Sequence, residues 1–168
     1  HARYIIAWGA NILATNVHLW PFIVEARRRG AKLVVIDPVK TKVASLADWH
    51  LTPYPGSDLA LALGLMHIIF REGWQQHPGD MSSLRARAAD YPPERVAGLT
   101  GIAAEDIETL AREYVQTQPS VIRLNYGVQR SERGGKAVRA IAILPALIGS
   151  WKQQGGGLQL STSGAFAG

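Results

Sequence analysis

Apolar and polar positions along the chain alternate between two periods. Tyr4-Ile-Ile-Ala-Trp8 and Leu33-Val-Val-Ile36 are continuous apolar runs, rich in β-branched and aromatic residues. Such runs suit central parallel strands covered on both faces. Between them lies a helical stretch that Asn16 or His18 can cap and that runs to about Arg29. Pro21 falls in its first turn, where a missing N–H costs little, and Gly30 ends it after Arg27, Arg28 and Arg29. The opening therefore reads strand, turn, helix, strand. Gly9-Ala10-Asn11 follows the first strand, and Asp37 closes the second.

The pattern continues with a short helix from Thr41 to Ala47 and a weaker strand from Trp49 to Tyr54. Pro55-Gly56 turns the chain. Ser57 or Asp58 then caps a helix from about Leu59 to Glu72, apolar nearly all round and so expected to be deeply buried. Residues 74–118 read as a helical insertion. It holds a helix from Met81 to Ala89, a second started by Tyr91-Pro-Pro-Glu94, and an amphipathic one from about Ala104 to Thr117. Ile102, Ile107, Leu110, Ala111, Tyr114 and Val115 mark the apolar face of the last. Val121 to Leu124 is a fourth strand, and Gly134-Gly135 opens a final helix to about Ser150, with Pro145 kinking or interrupting it. The expected fold is a three-layer α/β/α domain over residues 1–152, Rossmann-like, on a mainly parallel sheet of about four strands. Residues 153–168, with Gly155-Gly-Gly157, read as a glycine-rich loop or linker.

Composition narrows the class. The 168 residues fit one domain, 47% hydrophobic and 18% charged, which is globular rather than disordered. There is no cysteine, so this chain holds no disulfide, thiolate zinc site or Cys-bound iron–sulfur cluster. The longest apolar stretch, Leu59 to Phe70, is too short to span a bilayer, and no membrane contact is expected. His1-Ala2-Arg3 leads straight into a strand, as in a domain cut from a longer protein, so the compartment stays unassigned. A net charge of +5 suits an anionic ligand. Basic residues lack aromatic interleaving on a sheet face, which argues against nucleic acid.

The candidate chemistry sits in four loops at the carboxyl edge of the expected sheet: Trp8 to Thr15, Asp37 to Thr41, Pro55 to Asp58 and Tyr126 to Arg130. Open α/β sheets bind ligands there. Gly9 lets a phosphate approach the backbone. Only the first glycine of the dinucleotide fingerprint is present, which argues against nicotinamide binding. Asp37 is either an acceptor for a ribose diol or purine edge, or a helix cap. Asp58 is either a cap or a partner for guanine's two adjacent donors. Arg130 and Lys40 are either phosphate clamps or solvated cations. The five histidines show no metal-ligand spacing, and no catalytic constellation emerges.

Three segments in order, Trp8-Gly-Ala-Asn11, Gly30-Ala-Lys-Leu-Val-Val-Ile-Asp-Pro38 and Pro55-Gly-Ser-Asp-Leu-Ala-Leu61, resemble the molybdopterin oxidoreductase family of formate dehydrogenases, dimethyl sulfoxide reductases and nitrate reductases. Thr100-Gly-Ile102, Tyr126-Gly-Val-Gln-Arg130, Gly134-Gly135 with Arg139-Ala140, and Gly155-Gly-Gly157 agree with it. The resemblance implies a domain that holds one of two molybdopterin guanine dinucleotides around molybdenum or tungsten. Trp8, Gly9, Ala10, Asn11 and Thr15 would lie along the pyrophosphate and pterin. Asp37, Pro38, Lys40 and Thr41 would meet the guanosine, and Gly56, Ser57 and Asp58 the guanine. Tyr126, Gln129 and Arg130 would face the pterin. The metal ligand, a possible 4Fe-4S cluster, the second dinucleotide site and any electron-transfer subunits would belong to the rest of the parent enzyme, leaving this chain inactive alone. Two alternatives are a structural module like that of the large subunit of respiratory NADH dehydrogenase, and a stand-alone nucleotide-binding domain.

Overall fold

The structure is a computed structural model and describes residues 1–160. The last eight positions of the expected tail, 161–168, lie outside the described residues. In chain order the elements are β1 (Tyr4–Trp8), α1 (Ile12–Thr15), α2 (Trp20–Arg28), β2 (Lys32–Ile36), α3 (Lys42–Ser45), β3 (Trp49–Leu51) and α4 (Asp58–Arg71). Then come α5 (Ser82–Ala89), α6 (Pro93–Thr100), α7 (Ala104–Gln116), β4 (Ser120–Leu124), α8 (Tyr126–Gln129), α9 (Gly134–Leu147) and β5 (Gly157–Gln159). Single 3-10 turns occupy Val17–Leu19 and Ser150–Lys152.

The sheet order is β3-β2-β1-β4-β5, and every pairing is parallel. Side chains alternate across it. Tyr4, Ile6, Trp8, Val34, Ile36, Ile122 and Leu124 face a core shared with α4, α6, α7 and α9. Ile5, Ala7, Leu33 and Val35 face a smaller core closed by Ile12, Ile23, Val43 and Ala44. The result is the expected three-layer α/β/α arrangement. Its order reverses at β1: β2 and β3 extend one way, β4 and β5 the other.

Helix α4 is buried as its composition predicts, from Leu61 through Phe70 save His67. Helix α7 buries Ile107, Leu110, Ala111 and Tyr114 of the marked stripe; Val115 is half-buried, and Ile102 is buried just before the helix begins. α9 runs through Pro145 to Leu147 rather than stopping there. Two expectations need correction. β3 ends at Leu51, and the chain leaves the sheet before Pro53. The glycine-rich segment contributes a fifth strand. Gly157–Gln159 pairs with β4 along Val121–Arg123, and the Gly157 N–H donates to Ser150 Oγ at 3.1 Å. Edge pairing is a backbone property, so a segment without a hydrophobic pattern can still add a strand.

At the reversal point two turns meet. Gly9 adopts a left-handed φ of 55° and donates its N–H to the Ile36 carbonyl at 2.9 Å. A Cβ on Gly127 would stand 2.8 Å from the Gly9 carbonyl oxygen, a backbone atom that cannot rotate away. Replacing Gly127 by Ala therefore pushes the two turns apart, at a cost of about 1–3 kcal/mol typical of overpacking. Gly135→Ala, at an exposed first-turn position of α9 with no atom within 4 Å of the new methyl, is expected to be neutral or slightly stabilising. Urea unfolding of the two variants checks this: equal midpoints would show that the turns do not pack as described.

Candidate functional site

Two adjoining clefts open at the carboxyl edge of the sheet. The larger, about 560 Å³, is lined by Gly9, Asn11, Thr15, Asn16, Asp37, Arg123, Asn125, Tyr126, Gly127 and Arg130. The second, about 250 Å³, is lined by Asp37, Pro38, Pro53, Tyr54, Pro55, Gly56, Asp58, Gly127, Arg130 and Ser131. Asp37, Gly127 and Arg130 belong to both, so the clefts form one groove. Its centre lies at the reversal of strand order between β1 and β4, where turns leave toward opposite faces and open a crevice.

The structure brings Gly9, Asn11, Thr15, Asp37, Pro38, Gly56, Asp58, Tyr126 and Arg130 to this groove. Others stand elsewhere. Trp8 is fully buried in the main core, so its ring is not a loop contact. Its indole N–H instead donates to Asp58 Oδ1 at 2.7 Å, tying the end of β1 to the first turn of α4. Ala10 is buried in the smaller core and has no surface for a ligand. Lys40 is exposed and Gln129 half-buried; neither lines the groove. Ser57 donates to the Tyr54 carbonyl at 2.7 Å and faces a neighbouring cleft with Tyr91 and Arg95. Thr41 caps α3, its Oγ1 accepting the Ala44 N–H at 3.3 Å.

The two acids resolve differently from simple caps. Asp37 does not cap α3. Its Oδ1 accepts the Val39 N–H at 2.9 Å in a local turn, and its carbonyl oxygen is 2.9 Å from His50 Nε2. Asp58 lies in the first turn of α4, preceded by Ser57 at the cap position with no side-chain capping bond. Burial raises its carboxyl above the ordinary carboxylate value. The Trp8 hydrogen bond opposes that rise, and the nearby Asp37 charge adds to it. The groove thus holds a carboxylate whose charge is unfavourable to the fold.

Two residues the sequence reading passed over complete the larger cleft. Arg123 is 9% exposed and Asn125 8%, both at the end of β4. Arg123 Nε and the side-chain oxygens of Asn11 and Asn125 lack hydrogen-bond partners among the described residues. Asn125 Nδ2 donates to Thr15 Oγ1 at 3.3 Å, and Thr15 donates onward to the Asn11 carbonyl at 3.0 Å. That chain of bonds turns the Asn125 oxygen away from Thr15. Buried polar groups in native folds are nearly always paired, so three unpaired ones among the residues lining a single cleft fit a polar ligand. Period-2 alternation carried a signal for Arg123: with Val121 it shares the face opposite Ile122 and Leu124. Among the described residues no three His, Asp or Glu side chains group as a metal ion would require.

Comparison with known proteins fits this geometry. The family model for molybdopterin oxidoreductases matches residues 1–168. The chain is 42% identical over 170 residues to the probable oxidoreductase YoaE of Bacillus subtilis (strain 168), covering 98% of this chain and 25% of that protein. It is 30% identical over 152 residues to formate dehydrogenase H of Escherichia coli (strain K12), covering 87% of this chain and 21% of that protein. Among solved structures, acetylene hydratase from Pelobacter acetylenicus superposes with a TM-score of 0.82 at 31% identity, over 89% of this chain and 22% of that one. The chain thus spans about a quarter or less of these relatives' length. It belongs to the molybdopterin oxidoreductase family.

Proposed function

We propose that this chain holds the guanosine diphosphate half of one molybdopterin guanine dinucleotide within a larger molybdenum or tungsten oxidoreductase. The observation that carries the reading is the polarity of the groove. Asp58 lines only its smaller end, Arg123 only its larger end, and Asp37 and Arg130 line both. A guanine presents two adjacent N–H donors, which a carboxylate such as Asp58 accepts. Phosphates suit the larger end, where Gly9 exposes backbone and Arg123 and Arg130 supply charge. The residues present fit the group: acceptors for the purine, cations for the phosphates, and unpaired buried amides between β1 and β4. When bound, the cofactor's metal supplies redox or oxygen-atom chemistry; the protein contributes binding, orientation and electrostatics. The metal ligand, any 4Fe-4S cluster, the second dinucleotide site and electron-transfer partners fall to the remaining domains and subunits of the whole enzyme. In this reading the chain has no turnover of its own.

Nucleotide preference is the direct test. GDP is expected to bind this chain more tightly than ADP or NAD in isothermal titration. Equal binding of all three, or a preference for NAD, would reject the guanine assignment.

Asp58 gives a second test, because its two roles pull apart. Its carboxyl is raised in the folded chain, so protonation favours the fold. That contribution is complete below the unfolded value and is lost as pH rises through the folded value. At neutral pH the buried charge costs stability. Asp58→Asn removes the charge and keeps an oxygen for the Trp8 indole, so a melting temperature equal to or above that of the parent chain is expected. The new amide presents a donor to guanine's donors, so GDP affinity should fall about tenfold. Measured with guanosine, which has no phosphate to titrate, affinity in the parent chain should also weaken as acidification protonates Asp58, and that dependence should largely vanish in the variant. A variant that binds GDP normally would remove Asp58 from the site.

A further inference from the structure

We propose that Arg123, with the side-chain oxygens of Asn11 and Asn125, forms a subsite that takes a phosphate oxygen and a hydrogen-bond donor from one ligand. This deepens the reading above and rests on it: the anion would be a phosphate of the dinucleotide.

Arg123 is placed by the sheet. It lies opposite Ala7 on β1 and Gln159 on β5, and its side chain leaves on the face away from α9. That face carries α2 over β1 and β2, but over β4 and β5 it opens into a cleft of about 300 Å³ beside Phe22, itself 74% exposed. Arg123 lines both this cleft and the ligand groove. The residue is only 9% exposed, and its Nε is buried with no acceptor among the described residues. Burial without an anionic partner also pushes its basicity down. An arginine in that state is strongly favoured by any anion that reaches it.

Two anions could supply the partner: a ligand phosphate in the groove, or a carboxylate from a polypeptide covering the outer face of β4 and β5. The surroundings favour the phosphate. On the groove side stand the unpaired oxygens of Asn11 and Asn125, which need donors that a carboxylate lacks. A phosphorylated nucleoside or pterin carries anionic oxygens together with O–H and N–H groups, and so satisfies both kinds of unpaired atom. On the outer side the lining is mostly apolar, with Ile5, Leu19, Phe22, Ile23 and Val121. Its polar side chains besides Arg123 are His1 and Gln159, and neither has a buried unpaired atom.

The test uses the full-length protein prepared without cofactor, in parent form and as Arg123→Met and Arg123→Lys. Binding of inorganic pyrophosphate and of GDP is measured by isothermal titration, alongside the melting temperature without ligand. The second dinucleotide site of the whole enzyme also takes these probes, so the expected result is that one of two binding events weakens tenfold to hundredfold for both probes in Arg123→Met while the other stays as in the parent. Arg123→Lys should restore part of it, and the melting temperature should be unchanged or raised once the unpaired charge is gone. Arg123→Met that binds GDP and pyrophosphate like the parent overturns the subsite while leaving the guanine reading intact. A parent protein that binds pyrophosphate but not GDP supports the anion site and rejects the guanine reading. A fall in melting temperature with unchanged pyrophosphate affinity assigns Arg123 to a carboxylate of a covering segment and overturns the proposal.

Discussion

The groove depends on one close approach, that of two backbones at Gly9 and Gly127. Parallel strands β1 and β4 are neighbours in the sheet, yet the chain leaves them toward opposite faces. Their turns must nearly touch before diverging. A side chain on Gly127 would occupy the place of the Gly9 carbonyl, and one on Gly9 would press on Val128. Without Cβ atoms the turns seat against each other. Asn11 and Asn125, on either side of that contact, are thereby brought into one cleft with Arg123. The site is a by-product of strand order, and the glycines let the order close tightly.

The same rim concentrates the polar features that stability alone would not select. Asp58 carries a charge that burial disfavours, and it is held there by the Trp8 indole at the edge of the main core. Three of the buried side-chain atoms without partners among the described residues line the larger cleft. Elsewhere only Gln75 and Tyr114 each leave one buried oxygen unpaired among the described residues, and the main charged contacts close on themselves. Lys32 and Tyr4 both reach Glu113, and Arg71 makes a bidentate contact with Glu108. Three open atoms gathered in one cleft, against two scattered elsewhere, point to a site rather than to careless packing.

Much of the fold was legible because burial on two faces leaves a continuous apolar run and burial on one leaves a stripe. β1, β2, α4 and α7 each announced themselves in that way. The candidate loops were legible too, since strand ends in an open parallel sheet must share an edge. The losses have physical causes. Trp8 read as a loop residue because the candidate loop begins at the strand's last position; alternation puts its ring on the core face of Tyr4 and Ile6, where it meets Asp58, fifty residues away in sequence. β5 was hidden because its pairing needs no hydrophobic pattern. Arg123 was missed because a single charge inside Val-Ile-Arg-Leu reads as an outward, solvated position. On the outer face of β4 Arg123 instead shares a cleft with Phe22 and Ile23 of α2 and with Gly155 and Gly156, and it is only 9% exposed.

The distribution of charge along the groove also restricts how an anionic nucleotide could lie in it. Reversing the ligand would set its phosphates beside Asp58, whose carboxyl is already disfavoured by burial and by Asp37. It would also leave Arg123 facing a neutral base that cannot compensate its desolvation. Both errors would fall in poorly solvated surroundings, where like-charge contact and an unpaired cation are costly. Arg130 and Asp37, common to the two clefts, are indifferent to direction. Orientation therefore rests on the two residues that each cleft keeps to itself. If the groove holds a dinucleotide as proposed, an acid at one end and a base at the other would point its far half out of the groove, past the β1 and β4 turns.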